Sequence, residues 1–147
     1  MREIIIDTRE KRPWTFARWP EGKIARLGTL KSGDYSLRGF QSGGIAIERK
    51  SFQDLFGSMT SGRERFYREL RRLGEFRLAA LIVEEDEEFV LMGSKWTGVN
   101  PAKMLRTLYA WCAAFGIQIH FCPGALAAEA KAYRLLMGWA DSRDKVV

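Results

Sequence analysis

Gly33-Asp34-Tyr35, then Ile45-Ala46-Ile47-Glu48-Arg49-Lys50, then Ser51-Phe52-Gln53-Asp54 is the stretch on which the reading of this chain turns. On a strand, residues two apart share a face, so Glu48 and Lys50 point one way while Ile45, Ile47 and Arg49 point the other. Charged side chains next to an apolar strand end are costly unless they have partners. Asp34 begins the preceding strand and is expected beside Glu48, and Asp7 ends a first strand, Glu3 to Asp7. Together they predict a group of carboxylates with one ammonium. Each piece alone has a plainer explanation. Glu48 and Lys50 fit a solvated strand edge, Gly33-Asp34 a turn, and Asp54 the capping partner of Ser51.

Outward from this stretch, short strands alternate with helical patterns. Thr8 to Pro20 reads as a loop anchored by Trp14 and Trp19, and buried anchors are commoner than bases stacked on such rings. Strands at Asp34–Leu37 and Ile45–Lys50 are joined by the glycine-rich Arg38–Gly44. Phe52, Leu55, Phe56 and Met59 mark a short helix capped by Ser51. Gly62 breaks it, and a second helix spans Arg63 to Leu73. Its Phe66, Leu70 and Leu73 face the core, while Arg65, Arg68 and Arg72 share another face. Leu78 to Val83 is a doubly buried strand, and Glu84 to Glu88 reads as a solvated acidic turn, with Glu84 placed to reach a metal. Asn100-Pro101 caps a helix ending at Gly116, followed by a strand Ile117–Phe121 and a last helix Leu126–Trp139. His120, inside that strand, reads as a core or edge residue. The fold class predicted is α/β: a three-layer α/β/α sandwich around a central sheet, in one domain over residues 1–147.

The 147 residues carry 24 Lys and Arg against 18 Asp and Glu, a net charge of +6. That balance suits a polyanion, whose condensed counterions are released on binding, but basic charge by itself does not establish nucleic-acid binding. An apolar fraction of 46% excludes a disordered chain, and no apolar run is long enough to span a bilayer, so no membrane partner is expected. The start lacks a signal-peptide pattern. Cys112 and Cys122 have neither CxxC spacing nor a histidine cluster, so they read as buried thiols in a reducing compartment. The expected setting is the cytoplasm of a bacterial or phage-infected cell, associated with the nucleoid through DNA.

Clustered carboxylates repel one another and stay ionised best around a cation. Oxygen-only ligands favour Mg²⁺ or Mn²⁺, which lowers the pKa of a bound water and neutralises charge on a phosphate under attack. Lys50 can hold or deprotonate the attacking water, or stabilise the phosphorane. Phosphodiester hydrolysis is the chemistry this constellation suits.

Glu48-Arg49-Lys50 followed by Asp54, with Gly33-Asp34 upstream, resembles the GD…ERKxxxD signature of the XPF/Hef structure-specific endonucleases. They are a branch of the restriction-endonuclease-like PD-(D/E)xK superfamily. The likeness runs from about Ile4 to Asp86 and takes in Ile6-Asp7-Thr8-Arg9-Glu10, Gly62-Arg63 and Leu81-Ile82-Val83-Glu84. It implies a restriction-endonuclease-like sandwich with a mixed central sheet. It implies Asp34 and Glu48 as metal ligands with Asp7 beside them, and Lys50 as the catalytic lysine. Arg9, Glu10, Arg49, Asp54 and Arg63 carry over as supporting site residues, with Arg63 joining Arg65, Arg68 and Arg72 as DNA contacts. It also implies branched DNA (flaps, forks, junctions) as substrate and a homodimer as working form. Members that cut branches commonly add a C-terminal helix-hairpin-helix module; here the residues after Asp86 read as the rest of the nuclease domain.

The leading expectation is an active, metal-dependent DNA endonuclease, because Asp34, Glu48 and Lys50 are all present. Two alternatives stand beside it: a non-catalytic DNA-binding or scaffolding subunit, and a small Holliday-junction resolvase.

Overall fold

A computed structural model describes residues 2–20, 23–92 and 99–144. Its elements are β1 (Arg2–Asp7), β2 (Lys23–Gly28), β3 (Tyr35–Leu37), β4 (Ile45–Lys50), α1 (Phe52–Met59), α2 (Arg63–Leu73), β5 (Leu78–Val83), α3 (Glu87–Leu91), α4 (Pro101–Phe115), β6 (Ile117–Phe121) and α5 (Ala125–Asp144). Among the described residues the strands form one sheet in the order β2-β1-β3-β4-β5-β6. It is mixed: β3 runs antiparallel to both β1 and β4, and the remaining pairs are parallel.

Strand alternation sorts the core into two layers. Ile4, Ile6, Tyr35, Leu37, Ile45, Ile47, Ala80 and Ile82 face one way and are covered by α5 and by Trp14 and Phe16. Ala46, Ala79, Leu81 and Val83 face the other way and are covered by α1, α2 and α4. The result is the α/β/α sandwich expected, and it explains why β5 reads as an unbroken apolar run.

Local signals account for the helix ends. The Ser51 hydroxyl accepts the Asp54 N–H at 3.2 Å and starts α1. Asn100 accepts the Lys103 N–H at 3.1 Å with Pro101 in the first turn, and Gly116 closes α4 at φ 71°. Three elements depart from expectation. β2 was not legible because it is an edge strand, and its Ile24 and Leu27 point to solvent without an alternating pattern. The end of the acidic run, Glu87 and Glu88, enters the short α3 while Glu84 and Glu85 form a bend, with Tyr109 donating to Glu87 at 2.6 Å. The last helix runs five residues beyond Trp139, to Asp144.

Trp14 and Trp19 are anchors. Trp14 stacks on Tyr35 at 4.7 Å and Trp19 on Tyr133 at 4.3 Å. The Arg38–Gly44 turn joins the far ends of β3 and β4, so it lies at the opposite end of the sheet from Asp34 and Lys50. Cys112 and Cys122 are buried free thiols, and His120 sits on the edge strand β6 against Gln118, 3.0 Å away. Among the described residues no helix is long and apolar enough to cross a membrane.

Candidate active site

The antiparallel turn-back between β3 and β4 brings Asp34 to Glu48. Tyr35 pairs with Ile47, so the residues just outside that pair lie side by side. Asp34 is pinned by its backbone on both sides: its N–H donates to the Ile47 carbonyl at 2.8 Å, and its carbonyl accepts the Asp7 N–H at 2.9 Å. Gly33 makes the approach possible. It holds φ +77°, and a Cβ there would come within 3.1 Å of the Ile47 carbonyl oxygen.

Glu48 and Lys50 point from β4 toward α2, as alternation requires. Their side chains are only 16% and 15% exposed, with Lys50 Nζ 3.8 Å from Glu48 Oε2. The Lys50 amine also lies over the Phe66 ring, 5.0 Å from its centroid. Asp34, Glu48 and Lys50 open into one cavity of about 550 Å³, lined besides by Asp7, Arg9, Glu10, Lys31 and, from α2, Arg65, Arg68, Glu69 and Arg72.

The electrostatics of the two acids are unusual. Burial pushes the Asp34 carboxyl up to about 6; the Glu10 charge adds to this, against the Arg49 N–H and the Lys50 charge. Burial raises Glu48 well above the usual carboxylate range, and the neighbouring Asp34 charge raises it further. Two desolvated carboxylates held together in this way would be relieved by a shared cation. Oxygen donors facing an open cavity lined by polar side chains fit a hard divalent ion that keeps much of its hydration and needs only one or two carboxylates. The residues present therefore fit the ion that the resemblance implies.

Asp7 lines the same cavity, with its carboxylate engaged by its neighbours. Its carboxylate accepts Leu30 N–H at 3.0 Å and Arg9 N–H at 3.2 Å, and it is clamped by the Arg9 guanidinium at 2.8 and 3.1 Å. Burial alone would raise it, yet these partners together hold it below the usual range. Both of its oxygens accept hydrogen bonds from these partners. Asp7 shapes the cavity wall and orients Arg9.

Arg49 points to the other side of the sheet. Its guanidinium meets Glu84 at 2.7 and 3.2 Å, Glu10 at 3.3 Å and the Tyr35 hydroxyl at 3.2 Å, over the Trp14 ring at 4.5 Å. Glu84 is thereby engaged away from the cavity and does not join the carboxylates. Glu10 belongs to both regions, accepting the Tyr35 hydroxyl at 2.8 Å while lining the cavity.

Asp54 is exposed and stands on the rims of two neighbouring cavities, not on that of Asp34 and Glu48. Arg63 turns away toward α4, 5.2 Å from the Trp111 ring centroid, so the first residue of the basic helix does not join the stripe. Arg65, Arg68 and Arg72 do line the cavity, and Arg65 pairs with Glu69 at 3.0 Å. Sequence reasoning missed Lys31 and Glu69 as cavity residues. For Glu69 the signal was its place four residues after Arg65 on the same helix face. Lys31 stands two residues before Gly33, in a loop without periodicity.

The model of the ERCC4 domain matches residues 6–130 of this chain. The chain belongs to the ERCC4 domain family. Among solved structures it is similar to XPF from Aeropyrum pernix, at 20% identity and a TM-score of 0.71 over 98% of this chain and 62% of that one. It is similar also to XPF from Aeropyrum pernix in complex with DNA, at 21% identity and a TM-score of 0.74 over all of this chain and 69% of the other. The chain thus spans about two thirds of the length of those structures, and at such identities the likeness supports the fold. A search of curated proteins found no significant match.

Proposed function

We propose that this ERCC4-family chain is a divalent-metal-dependent endonuclease that hydrolyses the phosphodiester backbone of branched or otherwise structured DNA, in repair, recombination or phage DNA processing. The observation that carries the reading is the shared cavity: two half-buried acids with raised pKa values and a lysine, faced by a helix that presents three arginines. A perturbed pair of titratable groups in a cleft is the pattern of a candidate functional site.

In this reading Asp34 and Glu48 hold the ion, Mg²⁺ or Mn²⁺. Bound there, such an ion supplies acidification of a water and neutralisation of charge on the phosphate. Lys50 stands beside Glu48, where its amine can orient the attacking water or meet charge growing on a phosphoryl oxygen. Arg65, Arg68 and Arg72 bind backbone phosphates along the cavity wall, which aligns the strand without reading its sequence. Asp7 and Arg9 keep the wall rigid, and Arg49 with Glu10 fixes the strand that carries Glu48 and Lys50. Asp54, on the neighbouring rims, caps through its backbone N–H and its carboxylate has no role in this scheme.

Cutting both strands of a junction requires two active sites, so a homodimer belongs to the same proposal. The deciding experiment incubates the purified chain with labelled fork, flap and junction DNA and either ion. Cleavage should fall by about 10²–10³-fold in Glu48→Ala and in Lys50→Ala while DNA binding persists. Binding without any cleavage under both ions would replace the enzyme with a DNA-binding subunit.

A further inference from the structure

The segment Arg9-Glu10-Lys11-Arg12 carries three cations that the site uses unequally. Arg9 folds back onto Asp7 while its side chain stays exposed, and Glu10 turns inward to Tyr35 and Arg49. The backbone that follows is tied down as well. The Arg12 carbonyl accepts Arg49 Nη1 at 2.7 Å, and the Trp14 N–H donates to the Tyr35 hydroxyl at 3.0 Å beneath the stacked rings. Lys11 and Arg12 are therefore held on a rigid ledge. Both side chains are exposed, and neither has an ion-pair partner among the described residues.

That ledge edges a second cavity of about 620 Å³, which adjoins the carboxylate cavity through Arg9 and Glu10 and is bounded on its other side by Ser51 and Asp54. The plain reading is a solvated loop, since runs of charge usually face water. Two facts favour more. The backbone is fixed by buried partners, so little ordering entropy remains to be lost when an anion binds. The ledge also lies on the face of the sheet to which Arg49 and Trp14 turn, whereas the arginines of α2 lie on the face that carries Glu48, and the two cavities meet at Arg9 and Glu10. Cations then stand on two banks.

We propose that Lys11 and Arg12 form a second phosphate-binding bank, which takes the backbone of a different arm of branched DNA from the arm held by Arg65, Arg68 and Arg72. The inference rests on the reading that the carboxylate cavity receives DNA. Duplex DNA is stiff over tens of base pairs, so a linear segment held along α2 follows one straight path, whereas a fork sends out an arm in another direction that the ledge can take.

The test measures binding of the full chain to a labelled fork and to a linear duplex of the same length, over a series of salt concentrations. Lys11→Ala/Arg12→Ala should weaken fork binding by about tenfold and flatten its salt slope by about two, with linear duplex unaffected. The charge-keeping swap Lys11→Arg/Arg12→Lys should restore fork binding, and a Tm equal to wild type would show the loop intact. Equal weakening on both DNAs would mean a single duplex path and overturn the second arm. Unchanged binding to both would return the ledge to solvent. If the wild-type chain bound neither DNA, the nuclease reading itself would fall with it.

Discussion

The main-chain N–H of Arg49 donates to the Asp34 carboxylate at 2.8 Å, while the Arg49 guanidinium passes to the opposite face of the sheet and pairs with Glu84 at 2.7 Å. One residue thus positions a proposed metal ligand through its backbone and anchors the strand through its side chain. The buried ends of that anchor are Glu10, Glu84, Tyr35 and Trp14, gathered from three other parts of the chain.

Arg49→Ala should therefore act first on stability. It would leave Glu84 and Glu10 without their cation in a site where both partners are largely buried, at a cost of about 3 kcal/mol or more. Urea unfolding measures this. Arg49→Lys should recover only part of the loss, because an ammonium cannot reproduce the forked contacts. A loss below about 1 kcal/mol in the alanine variant would mean the network is slack.

The raised acids give a pH dependence whose sign is fixed. A carboxyl whose folded value exceeds its ordinary one binds its proton more tightly when folded. The stability it contributes is full below about 3.8 and is lost as pH rises through about 6 for Asp34. Glu48 shifts in the same direction. Metal-free protein should melt higher at pH 5 than at pH 8 on this account, and Asp34→Asn or Glu48→Gln should raise the Tm at pH 8 by a few degrees, at ~2–4 °C per kcal/mol. Added Mg²⁺ should stabilise wild type more at pH 8 than at pH 5, since protons and the ion compete for the same oxygens. Scanning calorimetry with and without chelator would check this. Variants that melt like wild type at pH 8 would contradict it.

Gly33→Ala should cost about 1–3 kcal/mol, because alanine is strained at φ +77° and its Cβ would crowd the Ile47 carbonyl. The same crowding would push Asp34 away from Glu48, so cleavage should fall further than stability explains. Thermal melts and single-turnover cleavage at a temperature where the variant is folded separate the two. Activity that simply tracks the folded fraction would limit Gly33 to a structural role.

The arginines of α2 divide. Alanine at Arg65, Arg68 or Arg72 should weaken DNA binding evenly across sequences and reduce the salt slope by about one each. Arg63→Ala, whose guanidinium lies over Trp111, should leave that slope unchanged and lower the Tm slightly. A salt titration of all four variants decides it. A slope change at Arg63 equal to the others would mean DNA reaches α4.

Much of this was written in local pattern. Period-two alternation placed Glu48 and Lys50 on one face of β4 and Arg49 on the other, and capping residues at Ser51 and Asn100 set helix starts. The meeting of Asp34 with Glu48 was also legible, since a short antiparallel return leaves few registers. What the chain does not write locally is which polar group spends its hydrogen bonds on which neighbour. The Asp7 carboxylate accepts from Arg9 and Leu30; Glu84, read as part of a solvated turn within reach of a metal, is held by Arg49, 35 residues earlier in the chain. Arg63 came to the DNA contacts through the family resemblance and not through spacing, and its guanidinium lies over the ring of Trp111 from a distant helix. Periodicity and propensity act between near neighbours, so they determine strands, helices and faces. The commitments of charged side chains depend on partners brought close only when the sheet and its helices pack, and that was decided by the tertiary structure.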